Sequence, residues 1–311
     1  MRGKVREFEH RSVLLEATIA AIGPCSGQRY LDCTLGGGGH SEALLQQSGP
    51  DGLVVGIDRD PQALTAAGKR LAPFGERFQP VRGCMGDMAT LAESWAPFDG
   101  IVMDLGVSSP QLDHPDRGFS FQHDGPVDMR MDPDQPTSAA ALLERIDEAE
   151  LTRILRHYGE EPRARRIARA VLAGRPWTST AALASCVERA SGYRGSRTHP
   201  ATRTFQALRI AVNDELGELE RALDASVQLV RPGGHVAVIS FHSLEDRMVK
   251  HHFRAAAGKK TPRDAFGNPI EAPLGRLVHP RGITGKQADP ENPRARSARL
   301  RVLEITRTPT P

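Results

Sequence analysis

The sequence has few cysteines, few aromatic residues and no long apolar segment. No stretch reaches the roughly 18 uninterrupted apolar residues that a membrane helix needs, and the charged segment Met1–His10 lacks the apolar core of a signal peptide. We therefore expect a cytoplasmic protein that does not associate with membranes. The four cysteines include no Cys-x-x-Cys pair, which excludes the usual zinc spacings, argues against a disulfide framework and leads us to expect no metal.

Lysine is also scarce, since six lysines leave 35 of the 41 basic residues as arginine. Arginine is suited to bidentate phosphate contacts and to stacking on bases, although a GC-rich genome would produce the same bias. The net charge of +3 says little about partners. With 311 residues, 39% apolar and 25% charged, the chain has the composition of an ordinary globular protein of one large domain or two modest ones.

The first third of the chain alternates short apolar runs with helical segments. Such alternation predicts a parallel sheet with helical crossovers, and its near-continuous apolar strands indicate a sheet buried on both faces. A fifth apolar run follows the turn Arg231–Gly234, and a half-exposed strand is predicted near the C-terminus. The predicted strands are Arg29–Thr34, Leu53–Asp58, Phe78–Arg82, Phe98–Asp104, His235–Phe241 and Ala298–Thr306.

Between the fourth and fifth strands the sequence changes in character. Residues 113–136 are rich in Asp, Pro, Gly and Met and are predicted to form a long loop, and helical segments follow from Ser138 to about Ala190. A further helical run is predicted over Pro200–Leu229. Because strands resume so late, we predict one α/β domain, residues 1–112 and 216–311, interrupted by a helical insertion at 113–215.

The strongest local pattern is the glycine-rich turn Asp32–His40 between the first strand and a helix. Its four glycines let a ligand approach the backbone amides at the helix N-terminus. Asp58 ends the second strand, where a carboxylate accepts hydrogen bonds from ribose hydroxyls. A dinucleotide oxidoreductase is the alternative, but its Gly-x-Gly-x-x-Gly/Ala pattern fails at Ser41 and Glu42, and no P-loop lysine follows. The turn and Asp58 therefore favour a nucleoside-type cofactor.

Two further strand ends are expected to line that cofactor. Gly83–Met88 follows the third strand, where an adenine would lie, and Met85 could either cover the ring or belong to the core. Asp104–Asp113 follows the fourth strand, at the carboxyl edge where open α/β sheets bind ligands.

Read in order, these stretches resemble the bacterial 16S ribosomal RNA cytosine-N4 methyltransferases, the MraW or RsmH family. The similarity covers nearly the whole chain, and several stretches are long enough to be specific. The matching segments are Gly38–Ser41, Ile57–Pro61, Asp104–Asp113, Arg117–Phe121, Gly125–Pro133, His199–Phe205, Ile239–Arg247 and Glu291–Ser297.

The resemblance implies a Rossmann-like class I methyltransferase that uses S-adenosylmethionine to methylate a cytosine of 16S rRNA, numbered 1402 in the usual RNA scheme. Two positions depart from the family pattern, because Met85 replaces an aromatic residue and Gly37 a larger one. The cofactor contacts that the resemblance implies are Gly38, Gly39, His40, Asp58, Met85, Asp104 and Gln111.

The loop after the fourth strand bears on which atom is methylated. Methylation of cytosine carbon 5 needs a cysteine that adds to the ring, and no cysteine lies between Cys84 and Cys186. An exocyclic amine needs only positioning and acceptors for its hydrogens. Known amino-methyltransferases often carry Asp/Asn/Ser-Pro-Pro-Tyr/Phe at this strand end. Here Ser108–Leu112 supplies a polar group and one proline but lacks the aromatic residue. We therefore predict that Ser109 and the Pro110 carbonyl orient the amine, and that stacking on the base comes from elsewhere, from Phe119 or Phe121.

Three arginine-dense stretches are candidates for phosphate contacts, namely Glu160–Arg169, Arg197–Arg203 and Asn292–Arg299, although a solvated charged face is the simpler reading of any one of them. The named candidates are Arg165, Arg166, Arg169 and Arg203. His199 and His242 are assigned positioning roles at most. The expected partner is 16S rRNA or the small ribosomal subunit, with monomer and homodimer both open. Methylation of DNA or protein, and a non-catalytic nucleotide-binding module, remain the alternative functions.

Overall fold

The computed structural model describes residues 12–192, 199–259 and 272–308. Within them, eight strands form one mixed sheet. The strands are β1 Arg29–Asp32, β2 Leu53–Asp58, β3 Phe78–Arg82, β4 Phe98–Asp104, β5 Val230–Ser240, β6 Gly275–Leu277, β7 Ile283–Thr284 and β8 Arg299–Ile305.

The longer helices carry an apolar face that packs into a core. Among the described residues, none of the helices has the length and apolar character needed to span a membrane. The helices are α1 Leu15–Ile22, α2 Gly39–Gln47, α3 Pro61–Leu71, α4 Met88–Leu91, α5 Ser109–Asp113, α6 Ala139–Arg145, α7 Glu148–His157, α8 Ala164–Ala173, α9 Thr180–Ser191, α10 Ala201–Asn213, α11 Glu215–Leu229, α12 Ser243–Ala256 and α13 Gly285–Ala288.

The sheet order is β3-β2-β1-β4-β5-β8-β6, with β7 also paired to β8. Strands β1 to β5 are parallel, whereas β8 runs antiparallel to β5. The chain moves outward from β1 through β2 to β3 and then returns to β4 on the other side of β1. This reversal creates the crevice at the carboxyl ends of β1 and β4 where doubly wound sheets bind ligands. The predicted α/β, mostly parallel, Rossmann-like sheet is therefore confirmed.

The chain divides into two compact units, residues 1–106 with 218–311, and Val107–Gly217, which we call the sheet unit and the helical unit. The sequence had placed the boundaries of the helical insertion at residues 113 and 215, whereas the helical unit runs from Val107 to Gly217. The sheet unit has two apolar clusters, one on each side of the sheet. A third cluster, built around residues such as Leu143, Leu155, Ile167 and Leu208, consists only of residues of the helical unit.

Three local predictions need correction. The strand near the C-terminus, predicted to be half exposed, is β8, which lies between β5 and β6 and has five of its seven residues buried. The helical run predicted over Pro200–Leu229 is two helices, because Asp214 adopts a left-handed conformation (φ 50°) that ends α10 and precedes α11. The Asn213 side chain, which donates to the Met129 carbonyl at 2.7 Å and accepts from the Met131 amide at 2.8 Å, fixes this break. The stretch Arg231–Gly234, predicted as a turn before the strand, lies inside β5, where the register against β4 shifts.

Candidate functional site

The glycine-rich turn after β1 brings backbone close to the carboxylate of Asp58. Gly36 and Gly38 have left-handed φ angles of 50° and 79°, a conformation that favours glycine. Asp58, at the end of β2, accepts from the Gly36 amide at 2.8 Å and from the Asp60 amide at 2.9 Å. Burial raises the pKa of Asp58, and these two amides oppose that shift. The predicted ribose acceptor is thus held against the turn itself.

A second carboxylate, Asp32, lies at the end of β1. It accepts from the Ser41 hydroxyl at 2.7 Å and from the Thr34 amide at 3.2 Å. Burial raises the pKa of Asp32 to about 6 in spite of these bonds. The Ser41 contact ties the first turn of α2 to β1 and so fixes how the glycine turn enters the helix.

Asp104 ends the neighbouring strand β4. Its amide donates to the Thr34 hydroxyl at 2.6 Å, and its Oδ2 lies 3.7 Å from Nδ1 of His40. Burial raises the pKa of Asp104 well above its ordinary value, and the negative charges of Asp32 and Glu245 add to the effect. Burial conversely lowers the pKa of His40 to about 4, so this imidazole is neutral.

Two buried atoms at this edge lack a hydrogen-bond partner among the described residues, Oδ1 of Asp104 and Nε2 of His40. An unsatisfied buried polar atom is costly, so such atoms indicate where a ligand supplies the missing partner. Here the two atoms lie beside a turn that carries no side chains over Gly36–Gly39. The geometry therefore fits a polar ligand that lies across the ends of β1 and β4.

The fourth carboxylate, Glu245, belongs to the first turn of α12. It accepts from the amides of Phe241 and His242, and the His242 ring accepts from the Glu245 amide, which together form a capping box. His242 therefore caps its own helix, and a positioning role for it in the reaction stays a prediction. Four acidic side chains near the carboxyl edge disfavour a phosphate group and favour a ligand with positive charge, such as an ammonium or sulfonium. They are Asp32, Asp58, Asp104 and Glu245.

The loop after β3 is tied to α11 by Glu218. Its Oε2 accepts from the Gly86 amide at 2.8 Å, and its Oε1 lies 2.8 Å from Nη2 of Arg221 and 3.6 Å from Nη2 of Arg59. The adjacent Met85 is half-buried and packs against the core cluster that includes Met88. Met85 thus contacts the core. Its second possible role, as a cover for the adenine ring, stays a prediction.

The remaining predicted site residues belong to the helical unit. Ser109 and Pro110 begin helix α5, and the side chain of Ser109 lies outside the described set. Gln111 is buried, and its Oε1 accepts from the Ser108 amide at 3.0 Å in a capping box. The Pro110 carbonyl accepts from the His114 amide at 3.0 Å, which leaves its second lone pair for another donor.

The candidate RNA-binding arginines are on the surface of the helical unit. Arg165 and Arg169 both contact Glu148 of α7, at 3.1 and 2.9 Å, whereas Arg166 and Arg203 are simply exposed. Of the candidate stacking rings, Phe119 is buried in the helical core. Phe121 packs against His199 and Phe205, with ring centroids 4.7 and 4.8 Å away.

Sequence reasoning missed Asp32, Thr34, Ser41, Glu245 and Glu218. Asp32 was the only one with a usable signal, since it ends a strand directly before the glycine turn. The roles of the others arise from contacts between residues far apart in the chain, such as Thr34 with Asp104, which no local pattern reveals.

The fold and the site together define a class: a Rossmann-like sheet, a glycine turn held by the Asp58 carboxylate, and acidic strand ends suited to a ligand with positive charge. A family model described as the MraW methylase family matches residues 7–306. The chain belongs to that family, which confirms the resemblance noted from the sequence and assigns S-adenosylmethionine as the cofactor.

Relatives with the same printed name, Ribosomal RNA small subunit methyltransferase H, are similar over nearly their full length. The protein of Trichlorobacter lovleyi is 49% identical over 310 residues, which is 96% of this chain and 99% of that protein. The Magnetococcus marinus protein is 50% identical over 313 residues, with 96% and 98% covered. Among solved structures, a SAM-dependent O-methyltransferase from Thermotoga maritima shows a loose similarity, with a TM-score of 0.41 and 9% identity over 96% of this chain and 66% of that chain.

Proposed function

We propose that this methylase transfers the methyl group of S-adenosylmethionine to the N4 amino group of a cytosine in 16S rRNA, in the cytoplasm. The observation that carries the proposal is membership in the MraW methylase family across residues 7–306. Relatives named as small subunit rRNA methyltransferases, at about half identity over the whole chain, support rRNA as the substrate.

The residues present fit the cofactor. When bound, S-adenosylmethionine supplies a methyl group on a positively charged sulfonium. Asp58 would accept the ribose hydroxyls, and Met85 would cover the adenine. Asp104 and His40, whose orphaned atoms need partners, would receive the amino-acid end together with the amides of Gly38 and Gly39. Gln111 is assigned to the cofactor as well.

The cysteines argue against methylation of carbon 5, which needs an accessible thiolate. Cys33 is buried, its Sγ lies 3.3 Å from Met88 Sδ, and burial raises the pKa of its thiol well above the ordinary value. Cys186 is also buried, and Cys25 precedes β1 and so lies near the opposite edge of the sheet. Cys84 is half-buried, but it follows β3, three strands away from β4 and from the loop that holds Ser109. Direct transfer to an exocyclic amine requires no thiolate, which favours the N4 atom.

At the amine, Ser109 and the free lone pair of the Pro110 carbonyl would accept its two hydrogens and so orient the nitrogen lone pair toward the methyl group. With the cofactor bound, its methyl group would pass directly to this nitrogen, and one of the two hydrogens held by Ser109 and the Pro110 carbonyl would leave as a proton to solvent. The helical unit would bind RNA phosphates through Arg165, Arg166, Arg169 and Arg203.

The decisive experiment is nucleoside mass spectrometry after incubation of purified small subunits, or their rRNA, with labelled cofactor. We expect labelled N4-methylcytidine. A label in 5-methylcytidine would refute the direct mechanism, and a label only in DNA or protein would identify another substrate. No transfer together with retained cofactor binding would favour a non-catalytic nucleotide-binding module. A Ser109→Ala enzyme with full turnover would leave only backbone groups in the orienting role.

A further inference from the structure

A second arginine-rich surface lies in the sheet unit, within the stretch that precedes β8. Its side chains Arg281, Lys286 and Arg296 are exposed, and we call these three residues the basic rim. No carboxylate pairs with them among the described residues. By contrast, Arg299 and Arg301 in the adjoining strand contact Asp246, at 3.7 and 2.7 Å. The exposed acid of the stretch is Glu291.

The sheet register places this surface at the edge where the cofactor residues lie. Asp104 is paired with Ile239 on β5, Ile239 with Leu300 on β8, and Leu300 with Ile283 on β7. These four residues therefore form one row across adjacent strands. At about 4.8 Å per strand, Ile283 lies roughly 14 Å from Asp104.

The stretch that carries the basic rim is firmly held. The buried Asp289 accepts from the Leu14 amide at 3.1 Å and from the Asn292 side chain at 3.1 Å. A Cβ on Gly285 would lie 1.7 Å from the Ala295 carbonyl oxygen, so the two short helical turns pack without space between them. The neighbouring Ser12 and Val13 contact the glycine turn, since a Cβ on Gly39 would meet Ser12 Oγ at 2.0 Å and His40 bonds to the Val13 backbone.

We propose that the basic rim binds backbone phosphates of the rRNA strand that flanks the target base, an inference that rests on rRNA being the substrate. Exposed cations without acidic partners gain from phosphate contacts through release of counterions, and they gain most when their positions are already fixed. The rim would thus position the strand at the carboxyl edge of the sheet, apart from any contacts made by the helical unit.

The test compares two double variants that each remove two positive charges. Lys286→Ala with Arg296→Ala removes two charges of the rim. The matched control, Lys69→Ala with Arg254→Ala, removes exposed charges near the C-terminal ends of α3 and α12. Both helices follow parallel strands and run back toward the opposite edge of the sheet. Affinity for a 16S rRNA fragment that contains the target is measured across a salt series, along with cofactor affinity and KM for RNA.

We expect the rim variant to bind the fragment about tenfold more weakly at low salt, to show a salt slope reduced by about 1.5, and to raise KM for RNA. Its cofactor affinity and its methylated product are expected to match the wild type, as are all properties of the control. Equal salt slopes for rim variant, control and wild type would overturn the proposal. So would a wild type that binds no RNA. A wild type that binds RNA without forming N4-methylcytidine would instead refute the proposed function.

Discussion

At the scale of single residues, the main feature of the site is a set of titratable side chains whose burial disfavours their charged forms. Asp32 and Asp104 are buried acids with raised pKa values, and His40 is a buried base with a lowered one. When no ligand is bound, this environment disfavours the charged form of each group. A ligand of opposite charge stabilises the charged form, because each ionised group then gains a partner of opposite charge. In the proposed function, the ammonium and sulfonium of the cofactor would provide such counterparts for the acids.

The lowered pKa of His40 gives a pH dependence with a definite sign. The unfolded chain takes up a proton on this histidine below about pH 6.5, whereas the folded protein takes it up only near 4. The stability that the neutral, buried His40 contributes to the folded protein is therefore present above pH 6.5 and is lost as the pH falls toward 4. We expect the free energy of unfolding of His40→Gln to lack this pH dependence. Between pH 7.5 and pH 5, the free energy of unfolding of the wild type should therefore fall by about 2 kcal/mol more than that of the variant. Denaturant titrations at the two pH values measure this, and parallel losses in both proteins would contradict it.

Asp58 has two roles in this account, as acceptor for the ribose hydroxyls and as acceptor for the Gly36 amide, and two variants separate them. Asp58→Ala removes the ribose acceptor and the partner of the Gly36 amide, so we expect cofactor affinity to fall about ten- to a hundredfold, from a loss of about 1.5–3 kcal/mol. Asp58→Asn keeps one oxygen for the Gly36 amide, so its cofactor affinity is expected to lie between those of the alanine variant and the wild type. Calorimetric titration with cofactor measures both, and an unchanged affinity in the alanine variant would exclude the ribose assignment.

The sequence indicated Asp58 and Asp104 because both follow apolar strands, and strand ends are visible in a local pattern. It did not indicate Glu245, which reaches the site from a helix beyond β5 and acts through amides of its own N-terminus. Nor could it show that Gln111 caps the helix in which it lies. Residue types at strand ends are thus predictable, whereas hydrogen-bond partners depend on the folded arrangement.

At the scale of elements, the central strands were the most predictable part of the fold. Strands β2, β3 and β4 have the bounds expected from the sequence, because continuous apolar runs flanked by polar turns leave little ambiguity. The short strands β6 and β7 were missed, since two or three residues carry no periodicity. The break at Asp214 was missed for another reason. It depends on Asn213 bonding to the backbone of Met129 and Met131, which are distant in sequence.

The arginine helix α8 makes a prediction at this scale. Arg165 and Arg169 share Glu148, whose pKa their hydrogen bonds lower. Exposed ion pairs of this kind contribute little to stability, so the arginines can exchange Glu148 for phosphate. We expect replacement of Arg165, Arg166 and Arg169 by alanine to weaken RNA binding and flatten its salt dependence, with cofactor affinity unchanged.

Glu148→Gln provides the complementary test of this helix. It removes the competing carboxylate without touching an arginine, so we expect RNA affinity to rise by a small factor and the salt slope to stay the same or steepen. Filter binding across a salt series measures both variants. A salt slope that the triple alanine variant leaves unchanged would show that this face of α8 is only solvated surface.

At the scale of the whole molecule, the chain forms a sheet unit from two separated segments and a helical unit from the residues between them. The apolar cluster of the helical unit draws on α6 to α10 and on the segment around Val127 and Met129, all within Val107–Gly217. A unit whose core comes entirely from one continuous segment meets the main requirement for independent folding. The sheet unit needs both of its segments, because β5 and β8 complete a sheet that begins with β1 to β4.

We therefore expect a fragment of residues 107–217 to fold by itself. Its far-ultraviolet circular dichroism should be strongly helical, and it should unfold in one cooperative transition with an enthalpy of about 60–80 kcal/mol, as is usual for a domain of roughly 100 residues. Leu155→Ala, which opens a cavity in its fully buried core, should lower its stability by about 2–5 kcal/mol. If the helical unit carries RNA contacts of its own, the fragment should retain salt-dependent RNA affinity and bind no cofactor. A helical but non-cooperative fragment would show that its core needs the rest of the chain.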